Sequence, residues 1–320
     1  MLPAVSQTAL PSTLLADLNA VRSCALQSLS AATRAAYESD LRVFEDWCAD
    51  RGVEALPASP ATVAAFLAAQ ADCGLRPATI ARRCAAIRHF HRLAGVDPVP
   101  TDVAVVKTTM KGLRRSLGAA QAKKAPATVT IAKRMVDVMP GDTLKGRRDR
   151  AMIMPGFAGA FRKSEVVALN VEDLEFCDEG VHITIRRSKT DQEAKGQTIA
   201  ILRGAGPFCP VRLLREWLDA AGVAEGALFR QTPKGGKRVG DRITGQTYYD
   251  VVKQAIDAIG LDASKFGSHS MRSGWISTAA KNGASIWKMK EISRHKSTDV
   301  LAGYVREAEL FQQHASVGMY

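Results

Sequence analysis

The sequence predicts a mainly α protein: a helical bundle, then a mostly helical domain carrying a small antiparallel β-sheet. Three observations predict it. Apolar residues recur at steps of three and four along most of the chain, the spacing of helix faces packed on a core. One stretch, about 174–201, instead alternates or carries β-branched residues between turn signals. And Gly118-Ala-Ala-Gln-Ala-Lys-Lys-Ala-Pro126 lacks any large apolar residue, as an interdomain linker does. At 320 residues the chain is long enough for a core on each side of that linker.

Residues 1–29 read as a loosely held arm with at most one short helix. A clear helix starts at Ser30 or Thr33, with Tyr37, Leu41, Phe44 and Cys48 on one stripe. Ser59-Pro60 is an N-cap followed by proline at the first helical position, opening a helix that Gly74 closes. Pro77 starts a third, through Ile80, Cys84, Ile87 and Leu93 to Gly95. Asp102 to Leu117 makes a fourth, with Val103, Val106, Met110, Leu113 and Leu117 inward. Short connections between them imply a compact bundle over 30–117. Beyond the linker, 131–139 and 145–160 are expected helices, the second broken near Pro155-Gly156. Strands are expected at 174–177, 181–187 and 197–201. Helices follow at 211–221, 246–259, 269–282 and 286–293, then a short one ending near Tyr304 and a last one from about Ala308. There is no internal repeat.

Composition narrows the function. Apolar residues make up 46% and mean hydropathy is −0.08, values of a globular chain. No run approaches the roughly 18 apolar residues of a membrane span. Leu10 to Leu18 has no basic flank and is interrupted by Asp17, which argues against a signal peptide. Cys24, Cys48, Cys73, Cys84, Cys177 and Cys209 are scattered and read as small buried apolar residues in a reducing, cytoplasmic compartment. No metal-ligand spacing is present, and no cofactor is expected. The net charge of +12 is concentrated: between Arg76 and Pro126 eleven Lys/Arg face only Asp97 and Asp102. That is either a solvated basic face or a surface for phosphate.

The second half carries a constellation suited to a phosphodiester. Arg162 lies in Phe161-Arg-Lys-Ser-Glu165, and about 110 residues later comes Ser268-His-Ser-Met-Arg272. A third stretch, Ser293-Arg-His-Lys-Ser-Thr-Asp-Val-Leu-Ala-Gly-Tyr304, follows. Transesterification at phosphate builds negative charge on the equatorial oxygens, and the arginine fork meets it with two parallel hydrogen bonds. His269 and Arg272, three apart, share a helix face. His269 and His295 can donate to phosphate oxygens, and one of them can take a nucleophile's proton. His89, His91, His182 and His314 read as structural. Tyr37 lies on a core stripe, Tyr248 and Tyr249 on a helix expected to face DNA, and Tyr320 at the end. Tyr304, nine residues past His295, is the candidate nucleophile.

This set resembles the tyrosine recombinases, the phage integrase family, from about Ser30 to Val317. Within it, Gly267-Ser-His-Ser-Met-Arg272 and Thr79 to Gly95 are most similar to Cre-type enzymes, except that His295 stands where those carry Trp. The resemblance implies a DNA breaking-rejoining fold, with 30–117 the core-binding domain and 127–320 the catalytic domain. It implies cleavage and rejoining of double-stranded DNA, without metal, through a 3′-phosphotyrosine at Tyr304, at short inverted-repeat sites. His269 would be the acid/base residue near the tyrosine, and His295 a hydrogen-bond donor to phosphate. Glu165 would orient the cations. Lys189, on the turn after the second strand, would protonate the 5′-oxygen, with Lys195 the competing choice. Arg34, Arg82, Arg83, Lys107, Arg114 and Arg115 are expected to touch the DNA backbone, and Gln246, Thr247 and Tyr249 base edges, the two domains closing as a clamp. Leu310, Phe311 and Val317 are expected to dock in a neighbouring protomer of a homotetramer on nucleoid DNA. The rival classes are a type IB topoisomerase, with the same phosphotyrosine chemistry, and a non-catalytic DNA-binding regulator.

Overall fold

A computed structural model describes residues 29–118, 124–186, 196–233, 239–308 and 316. The fold is mainly helical with one three-stranded sheet, and the chain divides into two compact units, Met1–Ala122 and Lys123–Tyr320.

The described part of the first unit is a bundle of α1 (Ala31–Ala49), α2 (Pro60–Asp72), α3 (Pro77–Leu93) and α4 (Ala104–Ser116). Ser30 and Ser59 cap α1 and α2 by accepting the backbone N–H of Thr33 and Thr62. Phe44, Phe66, Leu67, Ile80, Ile87 and Val106 fill the core, with Phe44 edge-on to Phe66 at 4.9 Å between ring centres. His91 is buried and structural: its Nε2 accepts the N–H of Ala58 at 3.0 Å, while Nδ1 lies 2.8 Å from the Ile87 carbonyl. Three expectations change here. Leu117 lies past the last turn of α4 and is 43% exposed rather than inward. Cys73, at the C-terminus of α2, is exposed rather than buried. Tyr37 is only half-buried, its ring 5.6 Å from that of His89.

The described part of the second unit begins with α5 (Val129–Asp137), α6 (Leu144–Ala158) and α7 (Lys163–Ala168). Strands β1 (Leu174–Phe176), β2 (Gly180–Ile185) and β3 (Gln197–Leu202) follow in the order β1-β2-β3, all antiparallel, with His182 opposite both Glu175 and Ala200. Val181, Ile183 and Ile185 turn one face into the core while His182 and Thr184 face out, the period-two pattern of a half-buried strand. The remaining helices are α8 (Pro210–Ala221), α9 (Gly245–Ala258), α10 (Ser268–Lys281), α11 (Ile286–Ser293) and α12 (Asp299–Ala308).

Burial overturns one further expectation, the break near Pro155-Gly156. α6 runs unbroken through Pro155, because Ala151 to Phe157 are all buried and packing holds the turn that the missing N–H weakens. Tyr248 belongs to the core with Val251, Val252, Ala255 and Ile256, and burial raises its phenol pKa; it does not face outward. Tyr304 lies well inside α12 rather than near its end.

Candidate active site

Arg162 is the N-cap of α7, in extended conformation, and Glu165 stands at the third helical position. The Glu165 carboxylate reaches back, accepting the Arg162 backbone N–H at 2.8 Å and Nη1 at 2.6 Å. An acid in the first turn also suits the positive end of the helix. Glu165 is almost wholly buried, and Arg162 keeps 17% of its side chain exposed. Burial opposes ionisation of Glu165. The Arg294 cation and the hydrogen bonds from Arg162 outweigh it and hold the carboxyl below its ordinary value.

α10 supplies the next pair. His269 is exposed in its first turn, while Arg272, one turn on, is 1% exposed. Gly274 permits this depth, since a Cβ there would stand 1.8 Å from the Ala127 carbonyl oxygen. Arg272 Nη1 donates to the Ala160 carbonyl at 2.7 Å. Burial, then the neighbouring Arg162 and Arg294, lower its pKa to about 9, so it stays cationic at neutral pH.

α11 and α12 close the site. Ser293 Oγ donates to the Met289 carbonyl and lies 2.8 Å from His295 Nδ1, which is 3.4 Å from Arg272 Nη2. Burial and the cations Arg272 and Arg162 bring the His295 pKa down to about 4, so the ring is neutral at pH 7. Tyr304 is half-buried among Ile276, Met289 and Leu301. Its pKa is raised by burial and by Glu307, and lowered in part by Arg272.

The structure therefore brings Arg162, Glu165, Arg272, His295 and Tyr304 into one cluster, with His269 in electrostatic reach of His295. Lys189, Lys195, Leu310, Phe311 and Val317 lie outside the described residues. In the bundle, Lys107, Arg114 and Arg115 are exposed. Arg82 and Arg83 meet the buried Asp40 at 2.7 and 3.6 Å, with Arg82 still 52% exposed. Arg34 lines a small pocket with Tyr37 and His89. On α9, Gln246 donates to Asp250 at 2.7 Å, Thr247 donates its backbone N–H to the Thr244 cap, and Lys253 sits 5.3 Å above the Tyr249 ring. Sequence reasoning missed Asp40, Ser293 and Arg294. Arg294 had no signal beyond its place before His295, and a charged residue in a sequence ordinarily reads as surface. Among the described residues no group of three or more His, Cys, Asp or Glu is placed to hold a metal ion.

Comparison with known proteins identifies the family. The phage integrase family matches residues 129–310, and the phage integrase N-terminal SAM-like domain matches residues 25–95. An integrase/recombinase xerD homolog of Selenomonas ruminantium is 34% identical over 291 residues, 90% of this chain and 85% of the relative. Tyrosine recombinase XerD of Bifidobacterium longum is 27% identical, covering 85% of each. Among solved structures, the Tn1549 transposon integrase with circular intermediate DNA superposes with a TM-score of 0.60 at 15% identity, over 86% of this chain and 89% of that one. XerH recombinase bound to palindromic difH substrate gives 0.58 at 17% identity, over 79% and 70%. These two likenesses show the fold. The chain belongs to the phage integrase family. It is a tyrosine site-specific recombinase of XerD-like type.

Proposed function

We propose that Tyr304 cleaves DNA by attacking a backbone phosphate, forming a 3′-phosphotyrosine and releasing a 5′-hydroxyl, with protein cations in place of a metal. The observation that carries this reading is the charge imbalance beside Tyr304. Three buried or nearly buried guanidiniums, Arg162, Arg272 and Arg294, cluster around one buried carboxylate, Glu165, which pairs with the first and the last. An anionic phosphate would balance that excess.

In the step, the Tyr304 Oη–P bond forms as the P–O5′ bond breaks. Arg162 and Arg272 hold the phosphate oxygens. The phenol, whose pKa is raised in the DNA-free protein, gives its proton to His269. The departing 5′-oxygen takes a proton from Lys189, or from Lys195. The 5′-hydroxyl of a second strand then reverses the attack, so the bond energy is kept for rejoining. Burial and then the neighbouring cations lower the His295 pKa; a bound phosphate offsets the cations and so favours the protonated, donating ring.

Exposed Lys107, Arg114 and Arg115 suit backbone contact, and Gln246, Thr247 and Tyr249 are assigned to base edges. Assembly is proposed to be a homotetramer on inverted repeats, with Leu310, Phe311 and Val317 docking in the next protomer. The Cre-type likeness is read from the 79–95 and 267–272 stretches, while several relatives matched along the chain, the Selenomonas and Bifidobacterium ones among them, carry XerD names. No helix among the described residues is long and apolar enough to cross a membrane, and the proposed workplace is nucleoid DNA in the cytoplasm.

Trapping covalent adducts on genomic DNA and sequencing the ends tests the reading. Paired cuts within short inverted repeats, with strand exchange between two such sites, are expected. Scattered cuts with plasmid relaxation and no exchange would make the protein a topoisomerase. Replacing the 5′-bridging oxygen by sulfur, which leaves without a proton, should rescue Lys189→Ala; rescue of Lys195→Ala alone assigns the acid to Lys195.

A further inference from the structure

Arg294 joins several parts of the site, and the reading just given uses only its charge and assigns it no contact with the phosphate. It ends α11 in the left-handed region at φ 57°. Among the described residues only one other non-glycine residue has positive φ: Ala160, at 46°. L-residues adopt this conformation at a cost, and it persists where surrounding contacts impose it. Here the two strained residues are bonded to each other. Arg294 Nη2 donates to the Ala160 carbonyl at 3.1 Å and to Glu165 Oε2 at 2.8 Å, and Nη1 donates to the Gly159 carbonyl at 3.0 Å and also meets the Ile292 carbonyl.

Two of these four acceptors are shared with the arginines proposed to hold phosphate. The Ala160 carbonyl also accepts Arg272 Nη1, and the Glu165 carboxylate also accepts Arg162 Nη1 and its backbone N–H. Arg294 thus reaches from α11, one residue before His295, to the start of α7 and, through Ala160, to α10. It is 6% exposed and packs its guanidinium 5.2 Å from the Phe161 ring centre. It sits behind the arginine fork of the site rather than at its mouth.

We propose that Arg294 is a positioning residue: it fixes Glu165 and the 159–160 turn so that Arg162 and Arg272 present their forks to one phosphate in register. The proposal rests on the reading of Arg162, Arg272 and Tyr304 as the cleaving cluster. A misplacement of about 1 Å in such a cluster costs roughly a hundredfold in rate, while DNA affinity, carried by many phosphate contacts, is barely altered.

The test is single-turnover cleavage of nicked DNA carrying the mapped site, alongside binding affinity, for the full chain. Arg294→Gly is the informative variant, because glycine accepts the left-handed backbone and only the guanidinium is lost. Cleavage should slow roughly tenfold to a hundredfold, with DNA affinity within about threefold. On a Glu165→Gln background the further loss should be much smaller than in the wild type, since the two act through one brace. Cleavage by Arg294→Gly within twofold of wild type overturns the proposal, and so does a loss that simply multiplies with that of Glu165→Gln. Should Arg294→Gly not fold, Arg294→Gln is measured the same way, and wild-type cleavage by it is equally fatal. Tyr304→Phe runs in parallel. If the wild type cleaves and Tyr304→Phe cleaves as well, the cleaving cluster itself is misassigned, which separates that failure from failure of the brace.

Discussion

Each unit of this protein buries a carboxylate that carries two arginines, and the two arrangements do different things. In the helical bundle, Asp40 of α1 accepts Arg82 and faces Arg83, both from α3. Arg82 remains 52% exposed, so water shares the solvation of its charge. The result fastens one helix to another. In the second unit Glu165 accepts Arg162 and Arg294, with Arg272 buried alongside and, among the described residues, no second buried carboxylate paired with these three. The cost of that crowding shows in lowered pKa values at Arg272, Arg294 and His295, each with burial as the first cause. A pairing whose excess charge is open to water serves packing. An uncompensated cluster next to a half-buried tyrosine is prepared for an anion.

The sharpest way to break this comparison is to remove a cation from each side. Arg272→Ala should cut the DNA cleavage rate by at least about a hundredfold, roughly 3 kcal/mol of transition-state stabilisation. Arg162→Lys should also be poor, because it keeps charge and loses the fork. Arg82→Ala should leave the cleavage rate of bound DNA near wild type. Single-turnover kinetics on saturating DNA distinguishes these, and a comparable loss for Arg82→Ala would erase the distinction.

A second effect concerns His295. In the free protein its imidazole should titrate at about 4 rather than near 6.5. Binding of DNA should raise that value, since phosphate offsets the Arg272 and Arg162 charges that lower it. Ring-proton chemical shifts followed against pH, with and without DNA, measure it directly. An unchanged titration on binding would mean that no phosphate approaches this cluster.

The bundle gives a third measurement. Lys107→Ala, Arg114→Ala and Arg115→Ala should each flatten the salt dependence of binding by about one unit in log–log slope. Arg82→Ala and Arg83→Ala should change it far less, because both side chains are already engaged with Asp40. Equal slopes for all five would place the α3 arginines on DNA as well.

The smallest effect is on stability. The Glu165 pKa is depressed in the folded protein, so its charge stabilises the fold above the unfolded value of about 4.5. That contribution is lost as pH falls through the depressed folded value. Glu165→Gln should therefore cost on the order of 2 kcal/mol near pH 7, with the difference from wild type shrinking below pH 4.5. Denaturant unfolding at pH 7 and pH 3.5 reads this, and a difference that grows on acidification has the wrong sign.

The same comparison shows what a sequence can carry. Arg162 with Glu165, and His269 with Arg272, are readable because helix geometry joins residues three apart. His295 and Tyr304 fall in one short stretch with a recognisable spacing. The caps at Ser30 and Ser59 and the alternation of β2 follow from local rules in the same way. Arg294 and Asp40 were not legible, because their partners lie 129 and 42 residues away and only the assembled fold brings them together. Pro155 and Tyr248 show tertiary packing overriding a local rule. A proline that breaks an exposed helix is tolerated in a buried one, and Tyr248 enters the core while Tyr249, about 100° further round the helix, stays half-buried.

The most direct test of the central claim is to trap the protein on nicked DNA carrying its cleavage site and identify the modified peptide by mass spectrometry. The account predicts a nucleotide on Tyr304, an adduct absent from Tyr304→Phe although that variant still binds the DNA. An adduct on Tyr249 or any other tyrosine, or one that survives in Tyr304→Phe, would contradict it.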